Sequence, residues 1–450
     1  MATLVSDQKI GFRFYPLELY CFKEGIFVQA AKPELRRLVG ARLLKIGDKT
    51  CDEAYGAVRE LVPRDNEMFV RLYAPYLLTQ AEVVNALGII EDMEKAPYLY
   101  EVEGKPELLE LKPTATEPPA GFALDHAWVD AREGSQTASP LWLRDPQNYF
   151  WLEYLKDSKT LYVQYNAVAN KPNETVADFF NRVFEFAESN EIEKFVLDLR
   201  HNGGGDNYLN RPIIHGLIKS EKLNRKGKLF AIIGRTTFSA AQNLVNELEK
   251  HTNIIFVGEP TGGRPNHYGD AARITLPNSQ ITFYASTLWW QDMDPRDDRQ
   301  WIGPQVAAEL TLDDYRNNRD PALDAVLNFS LSKSLSERLQ EALMSDDRDL
   351  AVRRYHEFKS DPVNTYAYTE REMNNLGSRL VNQGRLEDAM LVFQLNMESY
   401  PQSVTALNGL ALAHEKLGKR ELAIESYRRS FELNPKNPNA LRALQRLQGA

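Results

Sequence analysis

The stretch Leu229-Phe-Ala-Ile-Ile-Gly-Arg-Thr-Thr-Phe-Ser-Ala-Ala-Gln-Asn-Leu-Val-Asn-Glu-Leu248 passes from an unbroken apolar run through a short polar segment into apolar residues at Leu244, Val245 and Leu248, spaced as on one face of a helix. It reads as strand, tight turn, helix. A serine at that junction, Ser239, projects its hydroxyl beyond the sheet while the first N–H groups of the helix point at the same spot, ready for an anion. The arrangement suits a nucleophile.

Two elements of the same kind flank it. Upstream, Phe195-Val-Leu-Asp-Leu199 runs into Arg200-His-Asn-Gly-Gly-Gly-Asp206, where consecutive glycines let the backbone approach a ligand and aim bare N–H groups at it. Downstream, Ile254-Ile-Phe-Val257 leads into Gly258-Glu-Pro-Thr-Gly-Gly-Arg264. From residue 146 onward, strands at Thr160–Gln164, Lys194–Leu199, Lys228–Ile233 and Ile254–Val257 alternate with helical stretches at Thr175–Asn190, Tyr208–Ile218 and Ala240–His251. The alternation predicts an α/β sheet covered by helices, with its active groups at the carboxyl ends of the strands.

In order and spacing, the strings Asp198–Gly205, Thr237–Ala240 and Gly258–Thr261 resemble the tail-specific, or carboxy-terminal processing, serine proteases and their tricorn-like relatives. The resemblance implies that Ser239 attacks a scissile carbonyl while Ala240, with Gly204 or Gly205, donates N–H groups to the oxyanion. It also implies that Asn202, Thr237 and Arg264 lie at the substrate.

The chain departs from that family at the base. Many members carry a lysine 25 residues after the serine, and this chain has Arg264 there. A guanidinium keeps its proton in a protein and cannot deprotonate a serine, so Arg264 is read as a salt-bridge or anion-binding residue. The histidine that other members carry in a Gly-Asp-Gly-His-Thr string has no counterpart, because the first histidine is His126. The histidine-bearing cap is expected to be lost or to be missing from this polypeptide. His201, in the glycine string, and His267, just past Arg264, are the substitutes whose imidazoles titrate in the right range. Two readings stand at this point: a serine endopeptidase with a base other than lysine, and a peptide-binding scaffold that keeps Ser239 without a base.

Around this core the chain is predicted to be multi-domain, an α/β (α+β) assembly with a lead-in over 1–17, a PDZ-like β-rich module over 18–112, a Pro-rich connector over 113–145, the protease-like core over 146–332 and a helical solenoid over 333–450. The PDZ resemblance rests on strand-like Leu19–Phe22 and Gly25–Gln29, then Leu38–Thr50 and a helix from Cys51 to Leu61. It implies capture of an extended peptide beside an open strand, or an inert packing module. His126 in the connector is read as a surface or packing residue, and Trp289 and Trp290 as packing on the sheet or lining a substrate groove.

The carboxyl-terminal part repeats with a period of 34: Leu376 with Leu410, Gly384 with Gly418, Ala389 with Ala423, Phe393 with Tyr427 and Pro401 with Pro435. That is the tetratricopeptide pattern, and Ala351, Tyr355 and Pro362 mark an imperfect unit before it. Such a stack binds a protein segment or caps its neighbour.

A net charge of −9 with dispersed basic residues excludes a nucleic-acid or anionic-membrane footprint. The expected partners are protein or peptide substrates, unfolded or carboxyl-terminal segments among them, and a protein held by the repeats. Cys21 and Cys51, 30 residues apart, have no metal-ligand spacing, leaving two reduced thiols or one disulfide. No metal or other cofactor is indicated. No window approaches about 18 apolar residues and no leader is evident, so the chain as written reads as cytoplasmic, although members of the resembled family are often exported.

Overall fold

Alternating apolar residues in Leu17-Glu-Leu-Tyr-Cys-Phe22 and Gly25-Ile-Phe-Val-Gln-Ala-Ala31 build the first hairpin of the computed structural model, which describes residues 2–5, 11–118 and 127–449. Met1 and residues 6–10 of the lead-in, and Pro119 and His126 of the connector, lie outside the described residues. The chain forms two units, Met1–Phe329 and Ser330–Ala450, dividing three residues before the expected boundary at 332.

In the first unit, β1 (Ala2–Val5) is followed by the hairpin β2 (Leu17–Phe22) and β3 (Gly25–Ala31), then β4 (Arg42–Ile46) and β5 (Lys49–Thr50). Helix α1 (Cys51–Arg59) opens on a capping box, with Thr50 and Glu53 bonding each other's backbone N–H. Helix α2 (Glu67–Leu77) is capped by the Asn66 side chain, and α3 (Ala81–Ala86) leads to β6 (Ala96–Val102) and β7 (Lys105–Leu111). The strands order as β2-β3-β4-β6-β7, with β5 on β4 and β8 (Val129–Asp130) on β3, so part of the expected connector joins this sheet. Leu17, Val28, Ile46, Val58, Val70 and Tyr98 fill its core.

The end strand β2, one of the two edges at which an added peptide could pair, is covered. Helix α2 packs along it because Phe69, Val70 and Ala74 need burial, and the Cys21 carbonyl accepts a 2.8 Å hydrogen bond from Arg235. Strand addition at Cys21 is closed in this conformation. Cys21 and Cys51 are free thiols, and burial pushes the Cys51 thiol up to about 12.

After α4 (Leu141–Arg144), β9 (Phe150–Leu155) and β10 (Thr160–Tyr165), the chain alternates as the sequence predicts: α5 (Val176–Ser189), β11 (Lys194–Asp198), α6 (Arg211–Lys219), β12 (Leu229–Ile233), α7 (Ala240–His251) and β13 (Ile255–Gly258). Then come β14 (His267–Thr275), β15 (Thr282–Trp290), β16 (Val306–Ala307), α8 (Leu312–Arg316) and α9 (Pro321–Leu327). The sheet order is β16-β13-β12-β11-β10-β9, parallel except for β9. Strands buried on both faces explain the unbroken apolar runs: Leu197 and Ala231 pack toward Phe179, Leu217 and Leu244, while Val196 and Phe230 pack toward Leu323 and Val326 of α9.

The hairpin β14–β15 leaves this sheet and pairs with β1 in a separate sheet ordered β1-β15-β14. Trp289 is 49% exposed and packs edge-on to Tyr268, while Trp290 pairs across the hairpin with His267.

In the second unit, α10 (Leu335–Met344) and α11 (Arg348–Ser360) precede α12 (Glu370–Asn382), α13 (Leu386–Ser399), α14 (Val404–Lys416), α15 (Arg420–Leu433) and α16 (Pro438–Gln448). Gly384 and Gly418, equivalent in the period, end α12 and α14 with φ of 75° and 74°, values a residue with a side chain resists. Ala389 and Ala423 are fully buried, and Phe393 fills the space that Gly377 and Gly409 leave open. Ala351 and Tyr355 are buried in the preceding pair, completing the third unit. Among the described residues no helix is long and apolar enough to cross a membrane.

Candidate active site

Ser239 stands between the end of β12 and the start of α7 with φ 54° and ψ −126°, a backbone conformation that costs a residue with a side chain about 1–3 kcal/mol and persists only where its surroundings enforce it. They do. Thr237 Oγ1 accepts from the Gly234 N–H (3.1 Å) and donates to the Leu199 carbonyl (2.9 Å). Phe238 N–H reaches the Asn202 carbonyl (3.2 Å), and Asn210 Nδ2 donates to the Ala240 carbonyl (2.8 Å). The turn of β12 is thereby tied to the glycine string after β11.

These bonds correct two expected substrate contacts. Thr237 and Asn202 are both fully buried. The Asn202 side chain spends Nδ2 on the Tyr165 carbonyl (2.9 Å) and Oδ1 on the Gly204 N–H (2.9 Å). Both hold the turns instead of facing a substrate.

Gly204, at φ 108°, backs directly onto the serine, since a Cβ there would stand 2.7 Å from Ser239 Cβ and 2.9 Å from Ala240 N. Its N–H is taken by Asn202, which excludes it as an oxyanion donor. Gly205 bridges Val168 through its neighbours, Gly204 C=O and Asp206 N–H, so its own N–H faces away from that bridge. The Gly205 and Ala240 N–H groups have no hydrogen-bond acceptor among the described residues.

The histidines differ. His201 Nε2 lies 3.0 Å from the Trp142 carbonyl, its ring stacks on the indole at 5.3 Å, and burial holds its pKa down at about 4. It is engaged by Trp142. His267 is 1% exposed, and its ring lies 6.1 Å from that of Phe238, the residue before Ser239. Burial lowers its pKa, Asp292 and the Arg264 and Pro265 backbone beside the ring oppose that shift, and no side chain bonds either ring nitrogen. The Ser239 hydroxyl also lacks a partner among the described residues. Arg264 donates through Nε to the Asp65 carbonyl (2.7 Å) and through a terminal nitrogen to Gln300 Oε1 (2.5 Å), so the structural role fits it better than the substrate one.

Sequence reasoning missed the groups that brace this region. Arg235, four residues before the serine, forms a buried two-point pair with Glu259 (2.7 Å each) besides holding the Cys21 carbonyl. Burial opposes the charge on Glu259, and Arg235, joined by Arg71 and Arg200, outweighs it, keeping the carboxyl below its usual pKa. Phe69 of α2 packs on Phe238 at 5.0 Å, and Asn66 donates to the Thr261 and Gln300 carbonyls. Glu259 stood in a string already singled out, but its partner 24 residues away had no local signal. Asp65 likewise went unread: burial raises its carboxyl to about 6, with one oxygen unpartnered.

Residues 404–437 match the tetratricopeptide repeat family model. No curated protein matches. Solved structures similar to the chain include mature CPAF complexed with lactacystin, 12% identical, covering 77% of this chain and 85% of that one at a TM-score of 0.45. The photosystem II D1 C-terminal processing protease is 12% identical, covering 72% and 81% at 0.32. The Arabidopsis OM64 TPR domain is 22% identical, covering 26% and 92% at 0.19. The chain thus carries a tetratricopeptide repeat behind a mixed α/β unit, and its structural neighbours include proteases of the carboxy-terminal processing kind.

Proposed function

We propose that the chain is a serine-type endopeptidase of the tail-specific kind, cleaving protein or peptide chains by acyl-enzyme chemistry at Ser239. One observation carries the reading: a serine held at positive φ on a strand-to-helix turn, with the Gly204 backbone pressed against it. A packing serine has no need of that strain.

In the reaction, Ser239 Oγ bonds to the scissile carbonyl carbon as its proton passes to a base. The Gly205 and Ala240 N–H groups receive the oxyanion. The C–N bond breaks, the amine leaves with the proton, and water releases the acyl group by the reverse path. His267 is the base this reading favours over His201: it is buried with its ring 6.1 Å from that of Phe238, and no side chain holds either ring nitrogen. Its ring must turn toward the hydroxyl when substrate binds, as apo geometries commonly require. The repeat unit is proposed to hold a protein segment.

The test is hydrolysis of an unfolded protein substrate by the full chain, with Ser239→Ala and His267→Gln alongside. Cleavage lost in both variants supports the reading. Cleavage that survives Ser239→Ala overturns it. The unpartnered Ser239 hydroxyl favours a second reading, a peptide-binding scaffold, which predicts substrate binding without cleavage.

A further inference from the structure

The hairpin β14–β15 is rooted in helix α7, which begins one residue after Ser239. Before its first strand the Pro265 carbonyl accepts from Asn246 Nδ2 (2.8 Å). After its second, Asn243 of the same helix donates to the Asp292 carboxylate, and Lys250 donates to the Asp292 carbonyl (3.0 Å). From that root each strand runs for 9 residues, about 30 Å, and the order β1-β15-β14 leaves β14 as a free edge.

Residues directly opposite each other share a face of the hairpin. One face carries Tyr268 and Trp289 at the root, Ala272 and Ala285 in the middle, and Ile274 and Phe283 toward the tip. Tyr268 and Trp289 are half exposed and meet edge-on at 4.7 Å, Ile274 is 40% exposed, and the alanines between them make a shallow floor. No charge interrupts it. Asp270, at φ 50°, turns its carboxylate to Trp290 Nε1 (2.7 Å), and Trp290 pairs with His267 on the opposite face, where Arg273 pairs with Tyr284.

Contiguous exposed apolar groups mark a surface that meets a partner. The lack of charge selects an uncharged, apolar one. The break that Asp270 makes in the β14 edge works against the long, flat pairing by which two copies would join. The aromatic end adjoins His267, whose ring lies 6.1 Å from that of Phe238, the residue before Ser239, so a chain lying along the face runs toward the serine.

We propose that this face is a docking strip for an extended apolar stretch of an unfolded polypeptide, holding it outside the point of cleavage. Tyr268 and Trp289 receive one aliphatic or aromatic side chain, and Ile274, about 20 Å farther along, receives another. The proposal rests on the reading of Ser239 as nucleophile, and it makes an apolar segment remote from the scissile bond a determinant of which chains are cut.

Two measurements on the full chain test it, with β-casein as the unfolded polypeptide. In Ser239→Ala protein, where no cleavage follows, Trp289→Ser combined with Ile274→Ser is expected to weaken β-casein binding roughly tenfold, the scale of losing one well-buried apolar side chain. Tyr284→Ser, on the opposite face, is expected to leave binding unchanged. In the chain that keeps Ser239, the double change is expected to raise KM for β-casein with kcat held, which is the mark of lost ground-state binding. Unchanged β-casein binding in the double variant, while the native chain still takes a fluorophosphonate at Ser239, overturns this inference alone. A native chain that takes no label overturns the catalytic reading and this proposal with it. A native dimer that Trp289→Ser dissociates in sedimentation places a second copy on the face and also overturns the proposal.

Discussion

A Cβ on Gly204 would stand 2.7 Å from Ser239 Cβ, closer than real Cβ contacts come. The glycine string and the serine turn therefore fit only without a side chain at 204, and Gly204→Ala must displace the turn that sets Ser239 at φ 54°. Its labelling by a fluorophosphonate is expected to drop by about 10²–10³-fold, the size of effect seen when oxyanion geometry is lost. An alanine variant that labels normally would show that the close approach has no catalytic meaning.

Glu259→Gln leaves the buried Arg235 guanidinium uncompensated, and urea unfolding of the first unit should show a loss of about 3–5 kcal/mol. Replacing both, Arg235→Met with Glu259→Leu, is expected to cost less than the single change, because no charge stays buried alone. A double variant less stable than Glu259→Gln would contradict the pairing argument.

His201 gives a pH dependence with a definite sign. Its pKa is 6.5 by the ordinary value and about 4 when folded. As pH falls below 6.5, the unfolded chain takes a proton that the folded chain refuses, so the contribution to stability is full above that value, declines between it and about 4, and stops changing below. His267, also lowered by burial, acts in the same direction. Denaturation midpoints should fall from pH 6.5 to 5, where most carboxylates remain ionised. His201→Gln should flatten that fall, and an identical profile in the variant would contradict the assignment.

The legible parts of the chain were those with local periodicity. Helix α7 runs from Ala240 to His251 as read, and α5 lies inside the expected Thr175–Asn190, with Thr175 as its cap. The paired glycines 384 and 418 adopt matching conformations because the repeat imposes one turn on both. What was not legible depends on distant partners. Asn202 and Thr237 were placed at the substrate because they sit in the right strings, yet their polar groups are consumed by Tyr165, Gly204 and Leu199. The cover that α2 places over β2, and the departure of β14 and β15 into their own sheet, follow from packing that no short window contains.

In the repeat unit, a Cβ on Gly409 would lie 2.3 Å from Phe393 Cζ in a fully buried ring. Gly409→Ala should destabilise Ser330–Ala450 by roughly 1–3 kcal/mol, the usual cost of overpacking, and Phe393→Leu added to it should restore part of the loss. Calorimetry checks both, and a neutral Gly409→Ala would contradict the packing described.

Mass-spectrometric mapping of the fluorophosphonate adduct on the native chain decides whether Ser239 is an activated nucleophile. A single phosphonylated peptide bearing the label on Ser239 is expected, absent from Ser239→Ala and slowed in His267→Gln. A chain that remains unlabelled while folded, or that is labelled at another residue, would contradict it.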